Sequence, residues 1–319
     1  MSIITGLSPA KPAEKPHSPL FSTGPTRKRP GWTPDALDIA SLGRSHRAAH
    51  PKSRIRHCID LIHTTLALPE DYLVGIVPGS DTGAVEMAMW SLLGARGVDI
   101  LGWEAFGKLW IKDAASELTL DPLVRHEAEY GDLPDLAKVN FDHDVVFTWN
   151  GTASGVRVPD GDWIPHDRAG LTICDATSAV FAMDMPWHKL DVVTFSFQKA
   201  LGGEGGHGVI ILSPRAVERV NSHQPSWPVP KLFKLHKKGG LDTALFAGAT
   251  INTPSLLVIE DAIDTLTWAR DIGGAAGLIA RVEESFGYYR AWLDRTPYFA
   301  SLARDPATTS STALCLVIS

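Results

Sequence analysis

Lys199 and Asp175 stand where ordinary surface residues would not. Lys199 follows the apolar run at residues 191–197 (DVVTFSF) with one residue, Gln198, between, and precedes Ala200, Leu201, Gly202 and Gly203. A lone lysine normally belongs on a solvated face. One that leaves a buried strand among small residues can have its pKa lowered enough to form a Schiff base with a carbonyl. Glycines behind it leave room for a flat cofactor. Asp175 leaves a second apolar run, residues 171–174 (LTIC), inside the stretch CDATSAV. Taken alone it reads equally well as a helix cap. As the partner of a pyridinium nitrogen it makes pyridoxal 5′-phosphate (PLP) a better electron sink. The pairing of strand–Asp with strand–Lys–Gly favours the cofactor reading, which neither residue carries by itself.

A third segment, Gly79-Ser80-Asp81-Thr82-Gly83, lies between a strand-like and a helix-like stretch. Backbone N–H groups, hydroxyls and a helix N-terminus together make a phosphate cradle. Any strand-to-helix turn favours such residues, so the pattern is weak alone. It is neither GxxxxGK[ST] nor GxGxxG, which sets aside nucleotide and dinucleotide loops.

Positioning these residues requires a sheet whose strands all end at one edge. Compact apolar runs recur at residues 72–77 (YLVGIV), 98–101, 144–148 (DVVFT), 171–174, 191–197 and 208–212 (GVIIL). Between the first two, AVEMAMWSLL has the pattern of a buried helix. Continuous apolar strands interleaved with helices predict an α/β fold, a mostly parallel sheet covered on both faces. Residues 214–253 are irregular and basic, and 255–293 read as a long helical stretch leading to a smaller region. The expected organisation is a flexible arm over residues 1–20, a large domain over 21–258 and a small α+β domain over 259–319. The final stretch, TALCLVIS, reads as a strand with nothing after it.

With 319 residues, 44% of them hydrophobic and 21% charged, the chain can bury a large core and is not disordered. Lys and Arg total 30 against 36 Asp and Glu, a net charge of −6. That argues against nucleic-acid binding and against a polybasic membrane anchor. No apolar run is long enough to span a bilayer. The three cysteines, Cys58, Cys174 and Cys315, are too few and too scattered for a disulfide framework or a zinc site. A cytoplasmic protein is expected.

Several motifs together carry a resemblance: SFQKALGGEGGHGVI, CDATSAV, PGSDTG, Asn252-Thr253-Pro254, STGPTRKRPGW and Ser45-His46-Arg47. From about residue 20 onward the chain resembles the phosphoserine aminotransferase family. That family belongs to class V of the fold-type I, PLP-dependent enzymes, and the loops here are similar to its variant bacterial and archaeal branch. The resemblance implies that Lys199 is the Schiff-base lysine and Asp175 the partner of the ring nitrogen. It implies Thr152 near the phenolic oxygen, Gln198 on the cofactor phosphate, and Asp81 and Thr82 in the phosphate cradle. Thr82 stands where an arginine is often found. Asn252 and Thr253 match a pair that reaches the cofactor of the other subunit, which implies a homodimer with shared sites. Trp110 is the best match to the aromatic stacked on the ring, with Phe106 and Trp103 as alternatives. His46 and Arg47 match residues that receive the substrate's phosphate, although from charge alone that stretch reads as a solvated loop. His207 reads as a packing histidine, and Arg27, Lys28 and Arg29 receive no role.

The implied activity is transamination between L-glutamate and 3-phosphohydroxypyruvate, giving 2-oxoglutarate and O-phospho-L-serine by ping-pong kinetics. The alternatives are another class V activity, such as a serine–glyoxylate-type aminotransferase or a cysteine desulfurase, and an inactive PLP-binding chain. The resemblance also implies that family members continue past STALCLVIS and carry there an arginine for the substrate carboxylate. The small domain is therefore expected to be incomplete.

Overall fold

The computed structural model describes residues 24–318, so the expected arm over residues 1–20 lies outside them. In chain order the principal elements are α1 (Ala49–Thr65), β1 (Leu73–Pro78), α2 (Ser80–Leu92), β2 (Val98–Gly102), α3 (Ala105–Lys112), β3 (Leu123–Glu127), β4 (Asp144–Thr148) and β5 (Thr172–Asp175). They continue with β6 (Val192–Ser196), β7 (His207–Leu212), α4 (Pro214–Ser222), α5 (Leu256–Asp271), α6 (Gly274–Asp294), β8 (Phe299–Ser301) and β9 (Leu316–Ile318).

Seven strands form one sheet in the order β1-β7-β6-β5-β4-β2-β3. Only β7 runs antiparallel, against both β1 and β6. The remaining pairs are parallel. Alternate residues of one strand enter opposite cores. Val209 and Ile211 of β7 face the layer containing α1 and α5, while Ile210 and Leu212 face the layer containing α2. Val145 and Phe147 divide from Val146 of β4 in the same way. Burying one such side chain is worth about 1.5–3 kcal/mol, so strands apolar at every position need cover on both faces.

Two boundaries differ from the expectation. Helix α2 begins at Ser80, four residues before AVEM, so Asp81, Thr82 and Gly83 lie in its first turn. A side chain at Gly83 would place its Cβ 2.1 Å from the Pro78 carbonyl oxygen, and one at Gly208 would meet the Ser80 oxygen at 2.2 Å. Only glycines let this turn sit on β7. Strand β3 was not expected, because it is an edge strand with polar and half-exposed residues (LVRHE).

The expected division after residue 258 falls inside α5, which packs on α1 and on α6. Helix α5 carries four acids, three of them answered by cations from distant segments. Glu260 takes a two-pronged pair from Arg54 at 2.8 and 2.5 Å, Asp261 pairs with Lys28, and Asp264 takes Arg29 at 2.8 and 2.7 Å. Glu260 is buried, and removing its partner would strand a charge at a cost of about 3–5 kcal/mol. Beyond α5 come helix α6 and the antiparallel pair β8–β9. Among the described residues no helix is long and apolar enough to cross a membrane.

Candidate active site

The parallel strands β4, β5 and β6 all end at the same edge, and the segments leaving them supply Asn150, Thr152, Asp175, Gln198 and Lys199. This is the edge at which open α/β sheets present their ligand groups. Asp175 closes β5 and is buried, with Thr148 and Thr194 as its neighbours across the sheet. Its Oδ1 accepts the Thr177 backbone N–H at 3.2 Å and its Oδ2 accepts Trp110 Nε1 at 3.1 Å. Backbone and indole donors thus fix its orientation.

Lys199 lies in the turn after β6, half-buried. Burial pushes its ammonium below the ordinary lysine range, and the nearby Asp175 charge opposes that in part. Its Nζ donates to the Gly24 carbonyl at 3.4 Å, a long bond that leaves the amine available. The turn is held by Gly202 N–H on the Lys199 carbonyl at 2.8 Å and by Gly203 N–H on Phe197 at 2.9 Å.

Asp81 differs from its expected surroundings. Its carboxyl is buried and lies in side-chain contact with Asp175, while Thr82 beside it in the turn is exposed. Burial first, and the Asp175 charge second, push Asp81 well above the usual carboxylate range. Two buried carboxyls in contact are accommodated when one carries a proton that bridges them. The rest of the cradle is the first turn of α2, whose N–H groups point toward the same edge.

Helix α3 supplies the aromatic candidates. Glu104 caps it by accepting Gly107 N–H at 2.7 Å and also accepts Ala153 N–H at 3.3 Å, tying the helix start to the Thr152 loop. Trp110 is buried with its indole on Asp175, whereas Phe106 in the first turn is 47% exposed. Trp103 is buried and donates to the Val156 carbonyl at 2.9 Å, a packing role. Thr152 shares a 2.8 Å hydrogen bond with Ser178, which also takes Asn150 Nδ2 at 2.8 Å. Thr312, just before β9, joins this network by donating to the Ser178 carbonyl at 2.8 Å. The stretch before β9 is thereby tied to the sheet edge.

A cavity of about 590 Å³ opens beside Lys199, with Thr152, Ser178 and Thr312 in its wall. Of the expected cofactor residues Thr152 and Lys199 line it; at the ends of β4 and β6, Thr148 Oγ1, Asn150 Oδ1 and Gln198 Oε1 are buried without hydrogen-bond partners. Buried polar atoms are rarely left so, and here they surround the place expected for a polar, phosphorylated ring. The residues present therefore fit PLP. His46, Arg47, Asn252 and Thr253 make none of the contacts described above: Arg47, Asn252 and Thr253 are exposed and His46 is partly so. His207 is buried at the start of β7 and accepts the Ser255 N–H at 2.9 Å, in keeping with packing.

Three participants leave little or no trace in the sequence. Ser178 orients Thr152, Glu104 anchors α3, and the residues around Arg27 cross over Lys199. Only Glu104 carries a local signal, an acid ahead of the EAFGKLW helix.

No protein-family model matches the chain. A phosphoserine aminotransferase of Methanosarcina barkeri is 53% identical to it over 308 residues, 97% of this chain and 83% of that protein. The solved structure of a phosphoserine aminotransferase from Cytophaga hutchinsonii superposes with a TM-score of 0.75 at 24% identity, over 86% of this chain and 77% of that one. An alanine–glyoxylate aminotransferase from Nostoc sp. superposes with a TM-score of 0.77 at 17% identity, over 97% and 82%. The two structures establish the shared fold of PLP-dependent aminotransferases, type I, without choosing between activities. The choice comes from the 53% identity, sustained along nearly the whole chain: it belongs to the phosphoserine aminotransferase family.

Proposed function

We propose that the protein transfers an amino group from L-glutamate to 3-phosphohydroxypyruvate, giving O-phospho-L-serine and 2-oxoglutarate, the transamination step of serine biosynthesis. The observation that carries this reading is the half-buried Lys199 amine at the end of β6, beside the buried Asp175 at the end of β5. PLP, when bound, supplies a carbonyl carbon for the amine and an electron sink for breaking the bond to the α-hydrogen.

The chain's own residues do the rest. Asp175 offers a fixed carboxylate to the ring nitrogen. Thr152 serves the phenolic oxygen. Gln198, Thr82 and the N–H groups of α2 hold the phosphate, where a helix N-terminus favours negative charge. Phe106, exposed at the start of α3, or Trp110 below it lies against the ring. Lys199 Nζ, its pKa lowered by burial, would take the α-proton of the amino acid and carry it toward the carbon that the cofactor's carbonyl would supply. The two half-reactions share one site, so the kinetics are ping-pong.

His46 and Arg47 serve the substrate phosphate, and Asn252 and Thr253 the cofactor phosphate, each in the site of a second subunit. The support is that Arg47, Asn252 and Thr253 are exposed and His46 is partly so. The working form is then a homodimer with shared sites, and its setting the cytoplasm. The large domain is read as ending before α6.

A desulfurase would need a reactive thiolate. Cys58 and Cys174 are buried, and Cys315, although it lines the cavity, has its thiol pushed up by burial. That leaves the transaminase as the better account. The test is an assay of purified holoenzyme with L-glutamate and 3-phosphohydroxypyruvate. Turnover of that pair in preference to alanine and glyoxylate is expected; the reverse preference would displace the proposal.

A further inference from the structure

Residues 24–29 run across the turn that carries Lys199. Thr26 N–H donates to the Gln198 carbonyl at 2.8 Å, and its hydroxyl donates to the Lys199 carbonyl. The Arg27 carbonyl lies over Gly202, where an added Cβ would approach it to 2.2 Å. Gly202 also has a φ of +63°, so only glycine suits both the turn and the crossing. The backbone of Arg27 is therefore placed by contacts on both sides.

The three consecutive cations of this segment have different fates. Lys28 pairs with Asp261 and Arg29 with Asp264, both on α5. All three line the cavity beside Lys199, but Arg27 alone of them has no carboxylate among the described residues within ion-pair distance. Arg281, on α6, lines the same cavity and likewise has no carboxylate among the described residues within that distance. Its guanidinium lies 5.5 Å from the ring centre of Trp268, another wall residue. Among the described residues no Asp or Glu lines the cavity. Unneutralised guanidiniums facing a chamber of about 590 Å³ leave it positive, and the volume suits a small molecule. A guanidinium offers a planar fork that matches a carboxylate or a phosphate.

We propose that Arg27 and Arg281 are the anion-binding residues of the substrate chamber, gripping a carboxylate or phosphate of the substrate while Lys199 works on its α-carbon. This rests on the transaminase reading for the identity of the substrate, since both of its proposed substrates carry two anionic ends. The chemistry of the grip does not depend on that identity. It also gives a purpose to the ion pairs of Lys28 and Arg29, which hold the segment in place and leave the first cation of the three as its unneutralised charge.

The test is calorimetric titration of the holoenzyme with two unreactive probes, glutarate and 3-phosphoglycerate. Arg27→Ala should weaken at least one probe about tenfold to a hundredfold, the loss of one charge-assisted pair, and Arg27→Lys should restore part of it. Loss for both probes identifies a carboxylate grip, and loss for 3-phosphoglycerate alone identifies a phosphate grip. Arg281→Ala, on an exposed face of α6, should act in the same direction and carries the test if Arg27→Ala does not fold. Wild-type binding of neither probe, or binding by both alanine variants within about twofold of wild type, would overturn the inference. Arginine-dependent binding in a protein that does not transaminate would leave it standing and remove only the reading of function.

Discussion

Within one chain, the residues expected to act together fall into two groups with opposite surroundings. Asp175, Asp81, Trp110, Thr152, Gln198 and Lys199 converge at one sheet edge, buried or half-buried, with Trp110 hydrogen-bonded to Asp175 and Thr152 to Ser178. His46, Arg47, Asn252 and Thr253 are largely exposed. The first group is placed by strands whose apolar faces must be covered, so folding a single chain assembles it. The second group sits on connecting segments with little burial to fix it, and a second subunit is the natural source of its order. The cofactor side of the site is thus built by the fold of one chain, whereas the proposed outer side calls for association.

Three experiments would break or sharpen this contrast. The largest effect is expected from Lys199→Ala, which removes both the attachment point and the proton carrier. Activity should fall by about 10²–10⁴-fold or more, and with it the borohydride-sensitive visible absorption of the holoenzyme. Retained absorption and turnover would show that the buried group is not the catalytic one.

The second experiment mixes two inactive chains. Lys199→Ala damages a chain's own inner group, and Arg47→Ala the outer group it lends. Refolding the two together should restore part of the wild-type activity, because a mixed dimer keeps one undamaged site. If Arg47 serves its own chain, each chain in the mixture also keeps its own defect and no activity returns.

The smallest effect concerns Asp81. Its pKa is raised in the folded state, so the native protein holds a proton that the unfolded chain has released. Stability from this carboxyl therefore falls as pH rises above the ordinary carboxylate range. Asp81→Asn in the cofactor-free protein should melt higher than wild type at pH 8, with the difference shrinking toward pH 4. His207 has the opposite sign: burial lowers its pKa, so its contribution is lost as pH falls below the usual histidine range. A difference that grows on acidification would mean that Asp81 is charged in the native state.

Much of the inner group is legible in the order of the residues. Lys199 and Asp175 each end an apolar run, and a strand covered on both faces leaves its mark in every residue. Edge strand β3 leaves no such mark, since half of its residues face solvent. The turn at residues 79–83 announces a strand-to-helix junction, yet not which way Asp81 faces. Its carboxyl turns inward against Asp175 because α2 starts earlier than its apolar stretch, and Gly83 and Gly208 let that first turn sink onto the sheet. Arg27 is visible in the sequence only as one of three adjacent cations.

The amino-acid sequence by itself determined the strand–helix alternation, the lysine and aspartate at neighbouring strand ends, and the family. Hydrophobic periodicity and motif residues are local properties, written along the chain. Only the tertiary structure decided which of the cations lining the cavity are neutralised, that Ser178 and Thr312 hold Thr152, and that two carboxyls share one buried place. Those outcomes depend on contacts between segments up to 235 positions apart, such as Arg29 with Asp264, and no local pattern records them.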